Sequence, residues 1–382
     1  MGRTAVQKGR QGMSKRKRSE ESGDRAAKRP VQERKQHLYL LLDDWERGYS
    51  VRRLDADAFD SDADTDLPPK WFTEPPLARI EAPHVRSWNF VSHGTKIFAM
   101  KAKEASPAIP AFDTHTLSLT ICPWPSCHAD YVIPLFVSVG GKLFLFLEDQ
   151  TEYLGDPPSY NSKAPWSWTI INSPLPFHNA RLTCYALHPD GRTLYVSAGG
   201  RQRDRSGTFS FDAERLEWTH HGDWLLPFDG QAYFDAELEA WVGLCGKRDS
   251  AGYLCSCDVP PVAAEFTGPP SWKLGKDKLF SKESELHRSA KLVYMGDSKF
   301  CLVESLFDED DRGPTTVDHD DHYPQRRRRV LRMTTFGLKY NKAGNLQIML
   351  RPGQAQACMM FKRPHDFTES SIASSEPLAF WI

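Results

Sequence analysis

Short apolar runs alternate with polar positions along most of the chain, and Gly, Pro, Asp or Asn interrupts them every few residues. The segment "PLFVSVGGKLFLFL" is representative, because two apolar stretches flank a Gly-Gly pair. Successive strand side chains point to opposite faces, and glycine permits the positive φ that a tight hairpin needs. No long stretch shows helical periodicity. The pattern therefore predicts an all-β protein built from hairpins.

Two nearly identical octapeptides lie close together in the middle of the chain. They are "FDAERLEW" (Phe211–Trp218) and "FDAELEAW" (Phe234–Trp241), and each places Trp six positions after Asp. Asp suits a turn because its side chain accepts hydrogen bonds from the backbone that follows. We expect Asp212 and Asp235 to begin turns. We expect Trp218 and Trp241 to pack between neighbouring structural units, a role that large aromatic side chains fill well.

Two sets of turn residues recur with one common period. The first set is evenly spaced except for a longer last gap, and it consists of Asp113, Asn161, Asp212, Asp258 and Asn341. The second set has nearly the same spacing and centres on Gly94, Gly141, Gly191, Glu237 and Gly296. The shared period of about 48 residues is that of a four-stranded propeller blade. In this β-propeller, the first octapeptide joins the third and fourth strands of one blade. The second joins the first and second strands of the next.

The chain ends supply strands that the five repeats between about 87 and 350 leave over. "HLYLLLDDWERGYSVRRLD" and "ACMMFKRP…EPLAFWI" each hold roughly two apolar strands. Pairing them removes the exposed edges of an open sheet. We predict six four-stranded blades, the sixth closed by N- and C-terminal strands. Five blades with appended strands is one alternative. A two-sheet sandwich is another, although a sandwich has no reason to repeat at this period.

Charge divides the chain into a basic head and an acidic body. Residues 1–37 carry a net charge of +8 and the remainder −9. Residues 1–36 have almost no large apolar side chains, so we expect a disordered basic tail before a single propeller domain at 37–382. The tail contains residues that resemble a nuclear-import signal, namely Lys15, Arg16, Lys17, Arg18, Lys28 and Arg29. This pattern indicates nuclear or cytoplasmic localisation, and a merely solubilising tail is the alternative.

Two charged segments interrupt the propeller pattern. Residues 55–66 hold six Asp but lack the Gly and Glu of a calcium loop, so we expect a solvated acidic loop. Residues 307–330 form a charged insertion, acidic first and basic last, which accounts for the longer last gap in the first set of turn residues. The eight cysteines lack the spacing of a zinc site. We therefore predict free thiols, no metal and no cofactor.

The segment "YVSAGG" before "FDAERLEW" resembles the kelch family of propellers, whose unit has a Gly pair, an Asp turn and a later Trp. Gly199 and Gly200 with Asp212 and Trp218 are the one good match. The chain from Gln36 onward more closely resembles an uncharacterised, grass-expanded plant family, domain of unknown function 1668, similar to F-box-associated kelch proteins. The stretches that carry this likeness are "LYLLLDDWERGYSVRRLD" and "GDWLLPFDGQAYFDAELEAWVGLC". The resemblance implies a kelch-like propeller and no known chemistry.

Several function classes lack support in the sequence. No apolar run of ~18 residues could cross a membrane, and the acidic body argues against a nucleic-acid-binding face outside the tail. No G-x-S-x-G elbow of a hydrolase occurs, and no catalytic residue can be assigned. We interpret the protein as a monomeric, non-catalytic interaction module for a protein partner that the sequence does not identify. The alternatives are a nucleic-acid- or chromatin-associated protein that acts through the tail, and a propeller enzyme such as a hydrolase.

Overall fold

The chain forms an all-β propeller, with no α-helix among the residues that the structure describes. This computed structural model describes residues 35–45, 48–56, 59, 70–72, 74–81, 89–100, 108–126, 134–159, 161–200, 206–262, 268–308, 329–349, 355–360 and 378–382. Short 3-10 turns lie at Asn179–Arg181 and Arg248–Ser250. Most strand pairs are antiparallel hairpins, as the alternating pattern predicts.

Four successive units follow the predicted hairpin order, and each unit is an antiparallel run of four strands. Unit I contains β5 (Asn89–His93), β6 (Lys96–Met100), β7 (Ile109–Asp113) and β8 (Leu119–Cys122). Unit II contains β9 (Leu135–Val139), β10 (Lys142–Phe146), β11 (Thr151–Leu154) and β12 (Trp168–Ile171). Unit III contains β13 (Leu182–Leu187), β14 (Thr193–Ala198), β15 (Gly207–Asp212) and β16 (Glu217–Gly222). Unit IV contains β17 (Gly230–Asp235), β18 (Ala240–Leu244), β19 (Tyr253–Asp258) and β20 (Trp272–Lys278).

Unit V is larger than the others. It contains β21 (His287–Gly296), β22 (Lys299–Phe307), β23 (Arg329–Tyr340), β24 (Leu346–Met349) and β25 (Ala355–Met360). The long β23 pairs with β24 through one part of its length and with β25 through the other. A two-residue strand from the N-terminal region, β3 (Lys70–Trp71), adds to β25 in parallel.

The closure unit joins the two ends of the chain. It contains β1 (Leu38–Trp45), β2 (Gly48–Leu54), β4 (Ala78–Glu81) and β26 (Leu378–Trp381), in the order β26-β1-β2-β4. The expectation of two strands from each end is wrong, because three come from the N-terminal region and one from the C-terminus. The other C-terminal strand, β25, pairs with β23 instead, since the length of β23 leaves an edge there that needs a partner.

The apolar core consists of a series of buried clusters, and each cluster lies between two neighbouring units. Within the described residues, clusters join units I and II, II and III, III and IV, IV and V, V and the closure unit, and the closure unit and unit I. Each unit therefore buries both faces, and the series returns to its start. The parallel pair β13–β17 also merges units III and IV into one eight-stranded sheet. The count of six blades stays a prediction.

Most of the predicted charged segments lie outside the residues that the structure describes. All six import-signal-like residues lie outside the described residues, as do most of the acidic loop 55–66 and residues 309–328 of the insertion. The division at residue 36, the tail and both loops therefore stay predictions. Among the described residues, no helix combines the length and the apolar character needed to cross a membrane.

Candidate functional site

Four of the acidic or amide turn residues hold their turns in the same way. The Oδ1 atom of Asp212 accepts hydrogen bonds from the backbone N–H groups of Glu214 and Arg215 at 2.8 and 3.0 Å. Equivalent pairs of bonds are present at Asp113 and Asp235, and Asn341 Oδ1 accepts from the N–H groups two and four residues on, those of Ala343 and Asn345. These side chains replace backbone partners that a tight turn would otherwise leave unbonded.

Asp113 also forms an ion pair. Its Oδ2 atom accepts a hydrogen bond from Lys96 Nζ at 2.7 Å. Burial opposes the charged form of Asp113. The bond from Lys96 and the two turn N–H groups outweigh that effect and lower the pKa of Asp113 to about 2.

Asn161 and Asp258 begin different connections from the tight turns expected for them. Asp258 ends β19, the place that Asp212 takes in β15, but a long loop follows it before β20. Asn161 lies exposed within the connection from β11 to β12, well beyond the end of β11 at Leu154. The spacing thus locates the third-to-fourth connection in each unit. The spacing does not predict the length of that connection, because a loop can take up extra residues at a small entropic cost.

The two octapeptide tryptophans lie in different environments. Trp241 is 0 % exposed between units III and IV, and its Nε1–H donates to the Leu187 carbonyl at 2.8 Å. Trp218 is half-buried between units II and III, and its ring centroid lies 5.4 Å from each of the ring centroids of Phe146 and Phe177. Its Nε1 atom is buried without a hydrogen-bond partner among the described residues.

Serine–histidine contacts occur twice among the residues that the structure describes. His221 Nε2 lies 2.8 Å from Ser210 Oγ, and both side chains are almost fully buried. The other nitrogen, Nδ1, has no hydrogen-bond partner among the described residues, so no third group orients this imidazole as a general base. The second contact, His93 Nδ1 to Ser138 Oγ at 2.8 Å, joins β5 of unit I to β9 of unit II.

A cleft of about 390 Å³ opens where the closure unit meets unit V. Its walls come from the end of β2, from β3 with the connection that follows, and from β25. We call it the closure cleft. Its lining residues are His37, Arg52, Arg53, Leu54, Asp55, Trp71, Phe72, Glu74, Pro75, Leu77, Gln356 and Cys358. It exists because β3 leaves the closure unit to join unit V and the chain then returns as β4.

The wall of the cleft holds a buried, compensated charge. Arg52 is only 8 % exposed, and its Nη1 donates to the Glu74 carbonyl at 2.7 Å. Its Nη2 donates to Asp44 Oδ2 at 3.2 Å, and its guanidinium carbon lies 4.6 Å from the ring centroid of Phe72. A buried cation needs such a partner, because an unpaired one would incur a large desolvation cost. The guanidinium of Arg52 therefore binds groups within the wall of the cleft, and its charge is already compensated there.

Apolar side chains mark the cleft rim. Trp71 is 45 % exposed and Leu77 is 39 % exposed, and both line the cleft. Inside, burial raises the pKa of the Cys358 thiol to about 11, although Gln356 and the Arg52 charge act in the opposite direction. That thiol stays protonated near neutral pH. The cleft thus combines an exposed apolar rim with a wall whose charge is internally balanced.

Sequence reasoning singled out only Asp55 of the cleft lining, as the first residue of the acidic loop, and did not connect it with a cleft. One signal was present, because Arg52 falls two positions after the buried Ser50 in a strand and so occupies an inward-facing position. An inward arginine in a strand demands an acidic partner. The cleft itself could not be predicted, since it depends on β3 crossing to another unit.

The fold and the closure cleft define an all-β propeller with a recessed surface between the closure unit and unit V. The family model described as "Protein of unknown function (DUF1668)" matches residues 35–352. The chain therefore belongs to this family. No curated protein is significantly similar to the chain in sequence.

Solved structures offer a distant likeness. The periplasmic gluconolactonase of Pseudomonas aeruginosa is 12% identical with a TM-score of 0.38, over 85% of this chain and 99% of that one. The hydrazine synthase of Kuenenia stuttgartiensis is 11% identical with a TM-score of 0.33, over 70% and 68% of the two chains.

Proposed function

We propose that the protein is a non-catalytic interaction module that binds a segment of a partner protein in the closure cleft. The observation that carries this proposal is the exposed pair Trp71 and Leu77 on the rim of a concave surface. Tryptophan is enriched at the energetically dominant positions of protein interfaces, particularly where it borders a pocket. Concave, partly apolar sites are also where ligands generally bind.

The charge around the cleft favours an apolar anchor over an anion. Asp44 already compensates Arg52, and Asp55 and Glu74 stand beside the basic residues of the lining. A phosphate backbone needs clustered, available Lys and Arg, and the body of the chain carries a net charge of −9. We therefore assign the cleft to a protein segment that places an apolar side chain against Trp71 and Leu77.

Proximity labelling in the native cell, with the full chain as bait, tests this assignment. The test variant combines Trp71→Ala with Leu77→Ala. The matched control is Ile170→Ala on β12, where the side chain is also exposed, at 58 %. We expect proteins labelled by the wild-type chain and the control to be lost with the double variant, while all three chains melt alike. An unchanged set of labelled proteins would contradict the proposal.

We further propose that the six blades are units I to V and the closure unit, of which all but the larger unit V have four strands. The support is the series of buried clusters between neighbouring units, which closes on itself through β26. Ala379 and Phe380 are buried there and belong to different clusters. Deleting Leu378–Ile382 should therefore abolish cooperative unfolding of the whole domain. Unchanged cooperative melting of the deletion variant would contradict this closure.

For the basic head we propose a role as an import signal that acts separately from the propeller. The support is the cluster "KRKR" in a segment with few apolar residues. Import receptors with acidic pockets can bind extended Lys and Arg through charge-assisted hydrogen bonds. Changing Lys15, Arg16, Lys17 and Arg18 to Ala should move a fluorescent fusion toward the cytoplasm at an unaltered melting temperature. Nucleic-acid binding that vanishes with residues 1–36 would instead favour a chromatin-associated role.

A further inference from the structure

Four buried thiols meet between units III and IV. Cys184, Cys245, Cys255 and Cys257 belong to one cluster, and each is 3% exposed or less. All of them are free. No group of His, Cys, Asp or Glu within the described part of the chain is arranged to hold a metal ion. The chemistry open to this cluster is therefore that of free thiols.

Strand register brings two of these thiols together. Cys255 lies opposite Gly243 in the β18–β19 pair, and the Cys245 N–H donates to the Tyr253 carbonyl at 2.8 Å. Cys245 and Cys255 therefore share one face of the sheet, one diagonal step apart. Gly243 has no side chain, and the ring of Phe228 packs against it on this face. The two thiols are near enough to shift each other's pKa, and the Cys255 Sγ–H donates to the Pro227 carbonyl at 3.6 Å.

The surroundings of the two thiols differ, and the difference favours a thiolate on Cys245. The Cys255 thiol, the N–H and the charge of Lys247 and the Ser250 hydroxyl together lower the pKa of Cys245 to about 6, although burial opposes them. The Cys245 sulfur and burial raise the pKa of Cys255. Cys255 therefore keeps its proton, which its Sγ–H donates to the Pro227 carbonyl. Burial, together with the charges of Asp258 and Cys184, raises the pKa of Cys257 to about 12, and burial leads the increase at Cys184, so neither is activated.

Access for a small oxidant comes from the end of β18. Cys245 follows the last residue of that strand, and the segment that comes next, 246–249, is exposed. A peroxide molecule is small and uncharged, so it needs only a local opening of this loop. Reactivity of a cysteine toward peroxide rises with its thiolate character.

We propose that Cys245 and Cys255 form a peroxide-reactive pair that closes to a disulfide. The Cys245 thiolate attacks one oxygen of hydrogen peroxide, the O–O bond breaks, and Cys245 becomes a sulfenic acid while hydroxide leaves. The Cys255 sulfur then attacks the sulfenic sulfur, an S–S bond forms, and the S–O bond breaks. The two leaving hydroxides take the two thiol protons. Two thiols are thereby oxidised, and one peroxide is reduced to two waters.

The sequence makes this linkage directly measurable. Trypsin cleaves after Lys247 and Arg248, so Cys245 falls in peptide 216–247 and Cys255 in peptide 249–273. The purified full chain is treated with hydrogen peroxide, its remaining thiols are alkylated, and the digest is read by mass spectrometry. We expect the two peptides to appear joined, with the loss of two hydrogen atoms, and to separate on reduction. Fragment ions distinguish Cys255 from Cys257 within the second peptide.

Variants separate this pair from unspecific oxidation. The linked product should disappear in Cys245→Ser and Cys255→Ser but persist in the control Cys257→Ala. In Cys255→Ser, dimedone should trap a sulfenic acid on Cys245, since no thiol remains to resolve it. No linked peptide from the native wild-type chain would overturn the proposal, and so would linkage to Cys184 or Cys257. The wild-type measurement decides the matter even if a variant fails to fold.

Discussion

The two octapeptides differ in their environments far more than in their sequences. "FDAERLEW" joins the third and fourth strands of unit III, and "FDAELEAW" joins the first and second strands of unit IV. Trp241 is therefore on an inner strand and fully buried, whereas Trp218 is on the outermost strand and half-buried. We therefore expect the two tryptophans to stabilise the fold to different extents. The position of its strand within the unit decides how much of each ring is removed from water.

The largest expected effect is at Trp241. Replacement by Ala should cost about 3–5 kcal/mol of unfolding free energy, because the ring is enclosed by units III and IV and the cavity cannot easily collapse. It also leaves the Leu187 carbonyl without its donor. Denaturant unfolding measures this cost. A loss below about 1 kcal/mol would show that the inner position carries no special weight.

Trp218→Ala should cost less, roughly 2 kcal/mol, since only part of its surface is removed from water. Its ring contacts Phe146, Phe177 and Phe211, so the loss is more than that of an isolated surface aromatic. Because the indole N–H has no hydrogen-bond partner among the described residues, Trp218→Phe should be tolerated better than Trp241→Phe. Equal costs for the two phenylalanine variants would contradict the distinction between inner and outer positions.

Replacement of the two octapeptide aspartates should show the same order of effects on stability as replacement of the tryptophans. Asp235 is 0% exposed and accepts a bond from Ser298 Oγ of unit V at 2.8 Å, in addition to its turn. Asp212 is half-buried and accepts its turn bonds from exposed residues. Asp235→Ala should cost about 1–3 kcal/mol, because it leaves buried donors without an acceptor, and Asp212→Ala about 1 kcal/mol. Paired urea titrations measure both, and a larger loss at Asp212 would reverse the comparison.

Sequence reasoning was most successful where structure is local. Alternating apolar residues and Gly or Asp turns are set by a few neighbouring residues, so the hairpins at Gly94, Gly141 and Gly191 could be placed in advance. At these three positions φ is positive, as the turns require. The order of strands around the two octapeptides followed from the same period.

The misjudged features depend on contacts between distant residues. Nothing near Lys70 indicates that β3 pairs with β25, which lies near the opposite end of the chain. Nothing near Ala355 indicates that β25 extends unit V instead of the closure unit. The closure cleft and the thiol pair both follow from such long-range register. A single sequence contains apolar period and turn chemistry but does not specify which edge a short strand will join.

The smallest expected effect is a pH dependence, and it compares the residues three positions after each tryptophan. In unit III this residue is the buried His221, and in unit IV it is Leu244. Burial, aided by the charge of His220, lowers the pKa of His221. The folded state therefore binds this proton less readily than the unfolded chain does. The resulting stability is fully present above the unfolded pKa of about 6.5 and declines as the pH falls below it.

The melting temperature of the wild-type chain should therefore decrease between about pH 7 and pH 5, the range in which histidine titrates. His221→Gln keeps a hydrogen-bonding group near Ser210 but cannot take up a proton, so its decrease should be smaller. His220→Gln, next to it on the exposed side of β16, is the matched control; it removes only the smaller contribution of the His220 charge, so its slope should lie much nearer to that of the wild type. A part of the slope should remain in every variant, because burial also lowers the pKa of His93. If His221→Gln and His220→Gln gave the same slope, the titration of His221 would not distinguish unit III from unit IV, and the contrast between inner and outer strands would rest on packing alone.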